Sequence, residues 1–568
     1  MPLMSSALLR KKKFLKGDFP FLILLLILSI FISWPLFNED FINTVDGGDH
    51  LLHIYCMNQF IGHGQWFVRW VPHLYGYGYP VFNYYPPFFA LLGTAFLKTG
   101  LSIVWALNLA CFMIVVFSGF SMYFFAKELW GSEGGFLSAV AYIFAPYFML
   151  DLYVRGAYAE LASFVFLPLI LWAFLRLHKE PNINRLIIAS LSLAGLFLTH
   201  NCVTLIFCPI VLLYILVLHL PINRQNLASI IFSLLAFFLG IALTAFFWLP
   251  AYLEKDFVHI ERILNGALDF HQNFLSVQQL LYAPWPQKAG TPLPYEIGPL
   301  HCLLALISFC FILKISQGNR SLFKQWLFLF VILIGIIFLT LPLSINIWEH
   351  IHILKFIQFP SRLLVVVTLL VSILAGSSCL LFNPKHRIIV MILAVLAIIL
   401  VNSNRCHPPY GSVKVNLKGV SSSIVFSHLH PQDGGEFIPK WVKEKRIPIP
   451  LEKLQIIQGH GRIIKEVVLS EVHQIFYVEV STPSILCLNV FYFPGWDVKV
   501  DGKSVEIFKD NPYGLIVFSI KEGVHEIKAD FGPTPIRQTA TNISFIALLF
   551  LIALFIFGTL IYNKNLRQ

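Results

Sequence analysis

"PPFFALLGTAFLK", residues 86–98, decides how this chain is threaded. It is apolar enough to pass for a membrane crossing, yet a spanning helix needs about 20 apolar residues and this run falls well short. A crossing here would invert every later loop. Basic residues follow at Lys127, in 176–185, at Arg224, in 314–324, in 385–387 and in the tail 564–567, and Arg10, Lys11, Lys12, Lys13 and Lys16 precede the first apolar run. If 86–98 does not cross, alternate counting puts all of these on one face, as the bias of cytoplasmic loops toward Lys and Arg requires. The segment is therefore expected to be re-entrant or interfacial on the outer face, where such backbone is tolerated against protein or water.

Around it the chain reads as a polytopic α-helical membrane protein. Of its 568 residues 57% are hydrophobic and 12% charged, against about 25% charged in soluble domains. The net charge of +11 lies mostly in short connections, with no basic domain for a nucleic acid. About 12 transmembrane helices are expected, at 19–37, 103–126, 134–150, 157–175, 186–200, 202–219, 227–249, 297–313, 324–342, 361–382, 388–401 and 541–562. The basic start followed by 19–37 has the outline of a signal peptide, but the run is too long and lacks a small-residue cleavage site, so an uncleaved first helix is expected. Nine cysteines form no CxxC pair; Cys111, Cys202, Cys208, Cys310 and Cys379 sit in apolar runs as small hydrophobes, and Cys406 and Cys487 would pair only in an oxidising compartment.

Three regions remain outside: 38–102, 251–296 and 402–540. The last loses the apolar runs and gains alternating stretches such as "WDVKVDGKSVEIF", with Asp501-Gly502 placed as a two-residue hairpin turn. The expected organisation is a transmembrane domain over 1–401, a small extracytoplasmic β domain over 402–540, and a final helix with cytoplasmic tail over 541–568. No internal repeat of fixed period is visible, which weighs against an inverted-repeat transporter.

Titratable chemistry concentrates just after the first helix, in "NTVDGGDHLLHIYCMNQFIGHGQWFVRW", 43–70. If a helix starts after "DGG", Asp49 and His53 share one face, with Asp49 near the positive N-terminal end, where a carboxylate serves as a base or a metal ligand. The alternative is an N-cap, with Asp49 satisfying free amides and His53 pointing into water. Other outer residues add to the cluster: Asp46, His50, Arg69 in "GQWFVRW", Tyr84 and Tyr85 in "YGYGYPVFNYYPP", and Asp151, Arg155 and Glu160 in "DLYVRGAYAE". An Arg155–Glu160 surface pair and an interfacial belt of tyrosines are the plain readings of those residues. Charged groups gathered at one membrane face nonetheless mark a functional site by default. Carboxylates, arginines and aromatics opening toward lipid suit sugar transfer from a polyprenyl phosphate: the leaving phosphate is already acidic and needs cationic stabilisation, and one carboxylate takes the acceptor's proton.

"GGDHLLH" (47–53), "RW" (69–70), "GYPVFNYYPP" (78–87), "LYVRGAYAE" (152–160), "LTHN" (198–201), "WLPAYLEKDFV" (248–258), "IQFPSR" (357–362) and "FYFPGWDVKVDGK" (491–503) together resemble the GT-C class of membrane glycosyltransferases. Within it they look like the bacterial membrane proteins labelled 6-pyruvoyl-tetrahydropterin synthase-related, close to the YfhO-like family. That label implies no pterin chemistry, which would belong to a small soluble enzyme with a histidine zinc site. The resemblance implies a GT-C-like helical module with the catalytic acid in the first outer loop, at Asp49 with Asp46 in reserve and His53 beside it. It implies Arg69, Arg155 and Arg362 around the donor phosphate, supported by His50, Glu160, His200, Tyr84 and Tyr85. The partners implied are a polyprenyl-phosphate-linked sugar, membrane lipid and an envelope glycan, lipid or protein acceptor; a divalent metal is an open possibility. The implied location is the bacterial inner membrane, with both termini cytoplasmic. Two competing readings are a non-catalytic lipid-linked glycan transporter or flippase, and an envelope-glycan accessory protein.

Overall fold

The computed structural model describes residues 2–62, 67–72, 74–265, 269–315, 319–415, 435–444, 452–470 and 472–567. Among them, eight helices are long and apolar enough to cross a membrane: Ile103–Arg155, Tyr158–Lys179, Asn201–His219, Arg224–Leu243, Arg320–Thr340, Pro360–Leu381, Pro384–Arg405 and Pro535–Leu560. Shorter apolar helices lie at Gly17–Ile32, Phe88–Leu97, Ile183–Phe197 and Pro299–Phe309. Every expected span falls on one of these elements, so this is a multi-pass membrane protein. Two expected spans, 103–126 and 134–150, share the first element, which Gly131 breaks at φ 79°. The chain doubles back there: a Cβ on Gly119 would lie 3.5 Å from Ile143 Cγ2. Phe88–Leu97 is a helix of 10 residues, about 15 Å long, half the thickness of the hydrocarbon core.

One helix sits at the centre. All residues of Leu364–Ser377 are buried, because it crosses Ile103–Ile143 where neither backbone carries a side chain: a Cβ on Gly376 would meet Gly134 O at 2.2 Å. Small residues permit such close approach between membrane helices. Trp130 Nε1 then donates to Ile373 O at 2.8 Å, and Ser308 Oγ and Ser377 Oγ share a hydrogen bond of 2.7 Å. This crossing fixes where Arg362, just before the helix, can stand.

The C-terminal region is a β-sandwich. Its strands are β3 (Leu454–Gln458), β4 (Gly461–Ser470), β5 (His473–Val480), β6 (Ser484–Phe491), β7 (Trp496–Val500), β8 (Lys503–Ser504), β9 (Leu515–Ile520) and β10 (Gly523–Phe531). A five-stranded sheet runs β4-β5-β10-β7-β8 and a three-stranded one β3-β6-β9, every pair antiparallel. β5 alternates buried and half-exposed residues, the pattern of a strand with one face in a core. The turn at Asp501-Gly502 forms as the sequence predicts, with φ 51° and 80° and Val500 paired to Lys503. Trp496 is a core residue, edge-on to Trp70 at 5.9 Å. Cys406 and Cys487 are both free and buried.

The sandwich does not stand apart from the outer loops. Two further short strands, β1 (Phe41–Ile42) and β2 (Ser412–Val413), pair antiparallel. One apolar core joins Trp70, Tyr77 and Phe82 of the first loop and Val258 of the second to Phe476, Phe491, Trp496 and Phe518. Described parts of the regions 38–102, 251–296 and 402–540 thus share one core.

Candidate active site

The site begins with an irregular turn. Asp151–Arg155 makes one π-helical turn that ends on Gly156 at φ 67°. Such turns insert a residue into a helix and leave carbonyls for other partners. Here Val154 O and Arg155 O accept from Val45 N at 3.0 Å and Asp46 N at 2.6 Å. A side chain on Gly156 would prevent this, since its Cβ would lie 2.2 Å from Thr44 Oγ1 and 2.8 Å from Gly47 N. The first outer loop is therefore seated on the end of a spanning element. Helix Gly47–Gly62 starts immediately, with Gly47 N donating to Thr44 Oγ1 at 3.1 Å.

Asp49 lies inside the first turn of that helix, with its N–H on Asp46 O at 3.1 Å, and not at the capping position. Asp49, His50 and His53 all face a cavity of about 570 Å³, a size usual for small-ligand sites. Asp46, Tyr85, Arg155, Glu160, His200 and Arg362 line the same cavity. Residues from five distant stretches of sequence thus meet in one place.

Glu160 is the hub of the cationic side. Its Oε2 lies 3.2 Å from Arg155 Nη2, 3.7 Å from Arg362 Nε and 3.9 Å from His200 Nε2, and Tyr147 donates to its Oε1 at 2.5 Å. Arg155 also binds Asp151 Oδ1 at 2.7 Å. Asp151, Arg155 and Glu160 are all buried, so the Arg155–Glu160 pair is an interior ion pair and not the surface pair the sequence allowed. Two acids and two arginines cancel in formal charge, and Asp46 and Asp49 stand beside this neutral set. Arg362 is steered by its own loop: it donates to Ile357 O at 3.0 Å and to Gln358 Oε1. Gln358 is held at φ 67° and ψ −59° with Phe359 N on Ile357 O at 2.8 Å. That is a γ-turn of the rare, strained sense, a conformation that persists where the surroundings over-determine it.

The three histidines are neutral donors or acceptors. Burial pushes His53 down to about 4, and His200 to about 4 against the pull of Glu160. His50 is driven well below the ordinary histidine range by burial, with His53 and His200 adding to it. His50 Nε2 accepts from Tyr158 N at 3.1 Å, and His200 Nδ1 accepts from Val203 N at 3.2 Å. His200 therefore caps the helix Asn201–His219 while turning Nε2 toward Glu160. Burial raises the Asp46 carboxyl, opposed by Arg155 and Arg362. Among the described residues no group of three or more His, Cys, Asp or Glu is placed to hold a metal ion.

Two expected members lie elsewhere. Arg69 does not reach the cavity: Nη1 donates to Asn83 Oδ1 at 3.0 Å and Nη2 to Phe246 O at 2.5 Å. It belongs to a buried knot in which Glu254 binds Arg537 at 2.9 Å, Asn83 at 3.1 Å and Thr534 at 2.6 Å. Burial and the neighbouring Arg537 lower Arg69 to about 9. Tyr84 is drawn to the same knot, donating to Glu254 O at 2.7 Å. Adjacent residues on a short helical turn point apart, so Tyr85 lines the cavity while Tyr84 leaves it. Sequence reading missed Asn273, Tyr295, Gln358, Phe359, Glu436 and Phe437 on the cavity wall. Gln358 and Phe359 lay inside the quoted "IQFPSR"; the others carry no local pattern.

Residues 82–407, more than half of the chain, match the family described as "6-pyruvoyl-tetrahydropterin synthase related domain; membrane protein". The chain belongs to this family. Another relative of this 6-pyruvoyl-tetrahydropterin synthase-related membrane protein is an uncharacterized protein of Lactococcus lactis subsp. cremoris (strain MG1363), 23% identical over 346 residues. The match covers 58% of this chain and 55% of the relative, so the chain spans about half of that protein. Among solved structures it is similar to the arabinofuranosyltransferase AftD from Mycobacteria, with a TM-score of 0.47 and 13% identity over 70% of this chain and 27% of that one. The oligosaccharyltransferase of Archaeoglobus fulgidus with a tethered acceptor peptide gives 0.45 and 13% over 72% and 59%. ArnT from Cupriavidus metallidurans bound to undecaprenyl phosphate gives 0.41 and 13% over 72% and 68%.

Proposed function

We propose that this protein is a membrane glycosyltransferase that moves a sugar from a polyprenyl-phosphate donor to an extracytoplasmic acceptor, a glycan, lipid or protein of the envelope. The observation that carries the reading is the single cavity shared by Asp46, Asp49, Arg155, Arg362 and the ring of Tyr85, at the level where spanning helices meet the outer body. On this reading the multi-pass domain sits in the cytoplasmic membrane, with the cavity outside and both termini inside.

In the reaction, an acceptor hydroxyl attacks the anomeric carbon, its proton passes to the carboxylate of Asp49, and the bond to the phosphate oxygen breaks. Asp46 is the second choice for that base. The departing polyprenyl phosphate keeps the bonding pair as negative charge, which a guanidinium stabilises through short charge-assisted hydrogen bonds. Arg362 suits that task better than Arg155, whose fork is engaged by two carboxylates, Asp151 and Glu160, and by Tyr147, whereas Arg362 donates to the uncharged Ile357 O and Gln358 Oε1. No general acid is needed, in contrast with glycoside hydrolysis and its paired carboxyl groups. His53 and Tyr85, whose rings lie 4.8 Å apart, offer apolar faces to the sugar. If the transfer uses a divalent cation, Asp46 and Asp49 are the residues to hold it, with phosphate and water filling the remaining positions.

The test is turnover in proteoliposomes. Full-length protein is given a panel of undecaprenyl-phosphate monosaccharides and an envelope extract as acceptor source, and released undecaprenyl phosphate is measured. Release that depends on both substrates supports the reading; no release from any donor counts against it.

A further inference from the structure

The cavity is lined in part by residues that belong to the C-terminal region. Glu436 and Phe437 line it together with Asp49, although the chain between them includes most of the spanning helices. Their segment is clamped on both edges. Arg262 Nη1 donates to Gly435 O at 3.1 Å, His259 N to Ile438 O at 3.1 Å, and Lys440 N to Phe257 O at 3.0 Å. On the other edge Phe437 N donates to Tyr79 Oη at 3.1 Å, and its ring stacks on Tyr84 with centroids 5.2 Å apart and planes 18° apart. Gly435, at φ 71°, starts the strap, and a Cβ there would press to 2.8 Å on Ile438 Cδ1. All three outer regions thus cooperate to hold two side chains over the site. A chance surface loop would not be bound at each of these points.

The cavity then has two unlike walls. Its floor carries Arg362 at the start of a spanning helix, the side from which a lipid-tethered phosphate must arrive. Its roof carries a carboxylate and a ring and faces the body that lies outside the membrane. A carboxylate repels a donor phosphate and accepts hydrogen bonds from hydroxyls, and a ring edge packs on a sugar face. We infer that the strap 435–442 is the acceptor wall, with Glu436 accepting a hydroxyl of the incoming acceptor and Phe437 setting its orientation, so that the β domain contributes specificity to the site. This inference rests on the glycosyltransferase reading above.

The experiment is two-substrate kinetics on full-length protein in proteoliposomes, with the undecaprenyl-phosphate monosaccharide that turns over and a titrated envelope extract as acceptor. Glu436→Gln removes the charge and keeps the shape; Phe437→Leu removes the ring and keeps an apolar side chain. Loss of a charged hydrogen bond predicts roughly a tenfold or greater rise in the extract concentration giving half-maximal rate for Glu436→Gln, with half-saturation by the donor unchanged. A smaller rise in the same parameter is expected for Phe437→Leu. Unchanged acceptor dependence in both variants overturns the strap's role while wild-type turnover leaves the glycosyltransferase reading standing. A change in donor half-saturation alone also overturns it, because it places the strap at the donor. No turnover by the wild type removes both ideas, and is distinguished by that fact.

Discussion

Glu160 Oε2 lies 3.7 Å from Arg362 Nε but 3.2 Å from Arg155 Nη2, and that difference divides the labour of the two arginines. Arg155 is locked in an interior network with Asp151, and removing one partner of a buried pair costs about 3–5 kcal/mol. Arg362 is beyond hydrogen-bond distance of Glu160, and its own hydrogen bonds go to the uncharged Ile357 O, Gln358 Oε1 and Cys202 Sγ, which a phosphate can replace. Arg155→Ala should therefore lower the thermal unfolding temperature strongly, whereas Arg362→Ala should lower it less and raise donor half-saturation about 10- to 100-fold. Differential scanning fluorimetry with a donor titration separates the two.

Acid should destabilise this protein through its histidines. His53 and His200 are lowered by burial to about 4 from 6.5, so between those values the unfolded chain binds more protons than the folded one. Stability is then present above about 6.5 and lost as pH falls toward 4, approaching roughly 3 kcal/mol per histidine. The raised Asp46 works in the opposite sense, its contribution falling as pH rises above 3.8. His50 is lowered as well, so three cavity histidines share this sign. Unfolding temperature measured from pH 7 to pH 4.5 should fall, and His53→Gln should flatten that fall.

The knot around Glu254 should hold the final helix to the outer body and take no part in donor binding. Arg537 Nε and Glu254 Oε2 meet at 2.9 Å with both side chains at 1% exposure or less. Arg537 also stacks over Phe493 at 5.1 Å and Phe531 at 5.2 Å. Glu254→Gln should lower stability by about 3–5 kcal/mol. Arg69→Lys, which loses the fork that spans Asn83 and Phe246, should cost stability and leave donor half-saturation unchanged. Chemical unfolding followed by tryptophan fluorescence, together with donor titration, checks both variants.

The helices were legible because a bilayer imposes one simple length and polarity rule; nine of the twelve expected spans fall on elements that meet it, and 19–37, 186–200 and 297–313 fall on shorter apolar helices. The register of Asp49 and His53 was legible because helical periodicity places them on one face and "DGG" marks the start. Arg155 was found through its charge at a membrane face, the same reasoning that misplaced Arg69, and Arg362 through the resemblance carried by "IQFPSR". Charge says that a residue needs a partner, and it does not say which; Asn83 and Phe246 O were nearer than the cavity. The Asp501-Gly502 turn was readable because two adjacent positive φ angles demand such residues. The order β4-β5-β10-β7-β8 was not, since strands distant in sequence pair through side-chain fit. Glu436 and Tyr295 were hidden for the same reason: nothing local distinguishes a cavity wall built by tertiary contact.

All three outer regions should be reached from outside the cell. Single cysteines at exposed positions such as Tyr282 in 251–296 and Val524 in 402–540, and at Val45 in the first loop, should react with a membrane-impermeant maleimide in intact cells. Labelling that requires permeabilised cells at any one of them would reverse the topology and move the cavity to the cytoplasm.

The central claim rests on Asp49. A general base typically contributes about 10²–10⁴-fold in rate, and Asp49→Asn keeps the size of the side chain while removing its charge. The decisive measurement is the initial rate of sugar transfer from undecaprenyl-phosphate monosaccharide by Asp49→Asn and Asp46→Asn proteins in proteoliposomes, normalised to correctly folded protein. The account predicts a rate at least about a hundredfold below wild type for Asp49→Asn, with donor half-saturation retained through Arg362. Wild-type transfer by Asp49→Asn with loss in Asp46→Asn would move the base to Asp46, and wild-type transfer by both would contradict the mechanism.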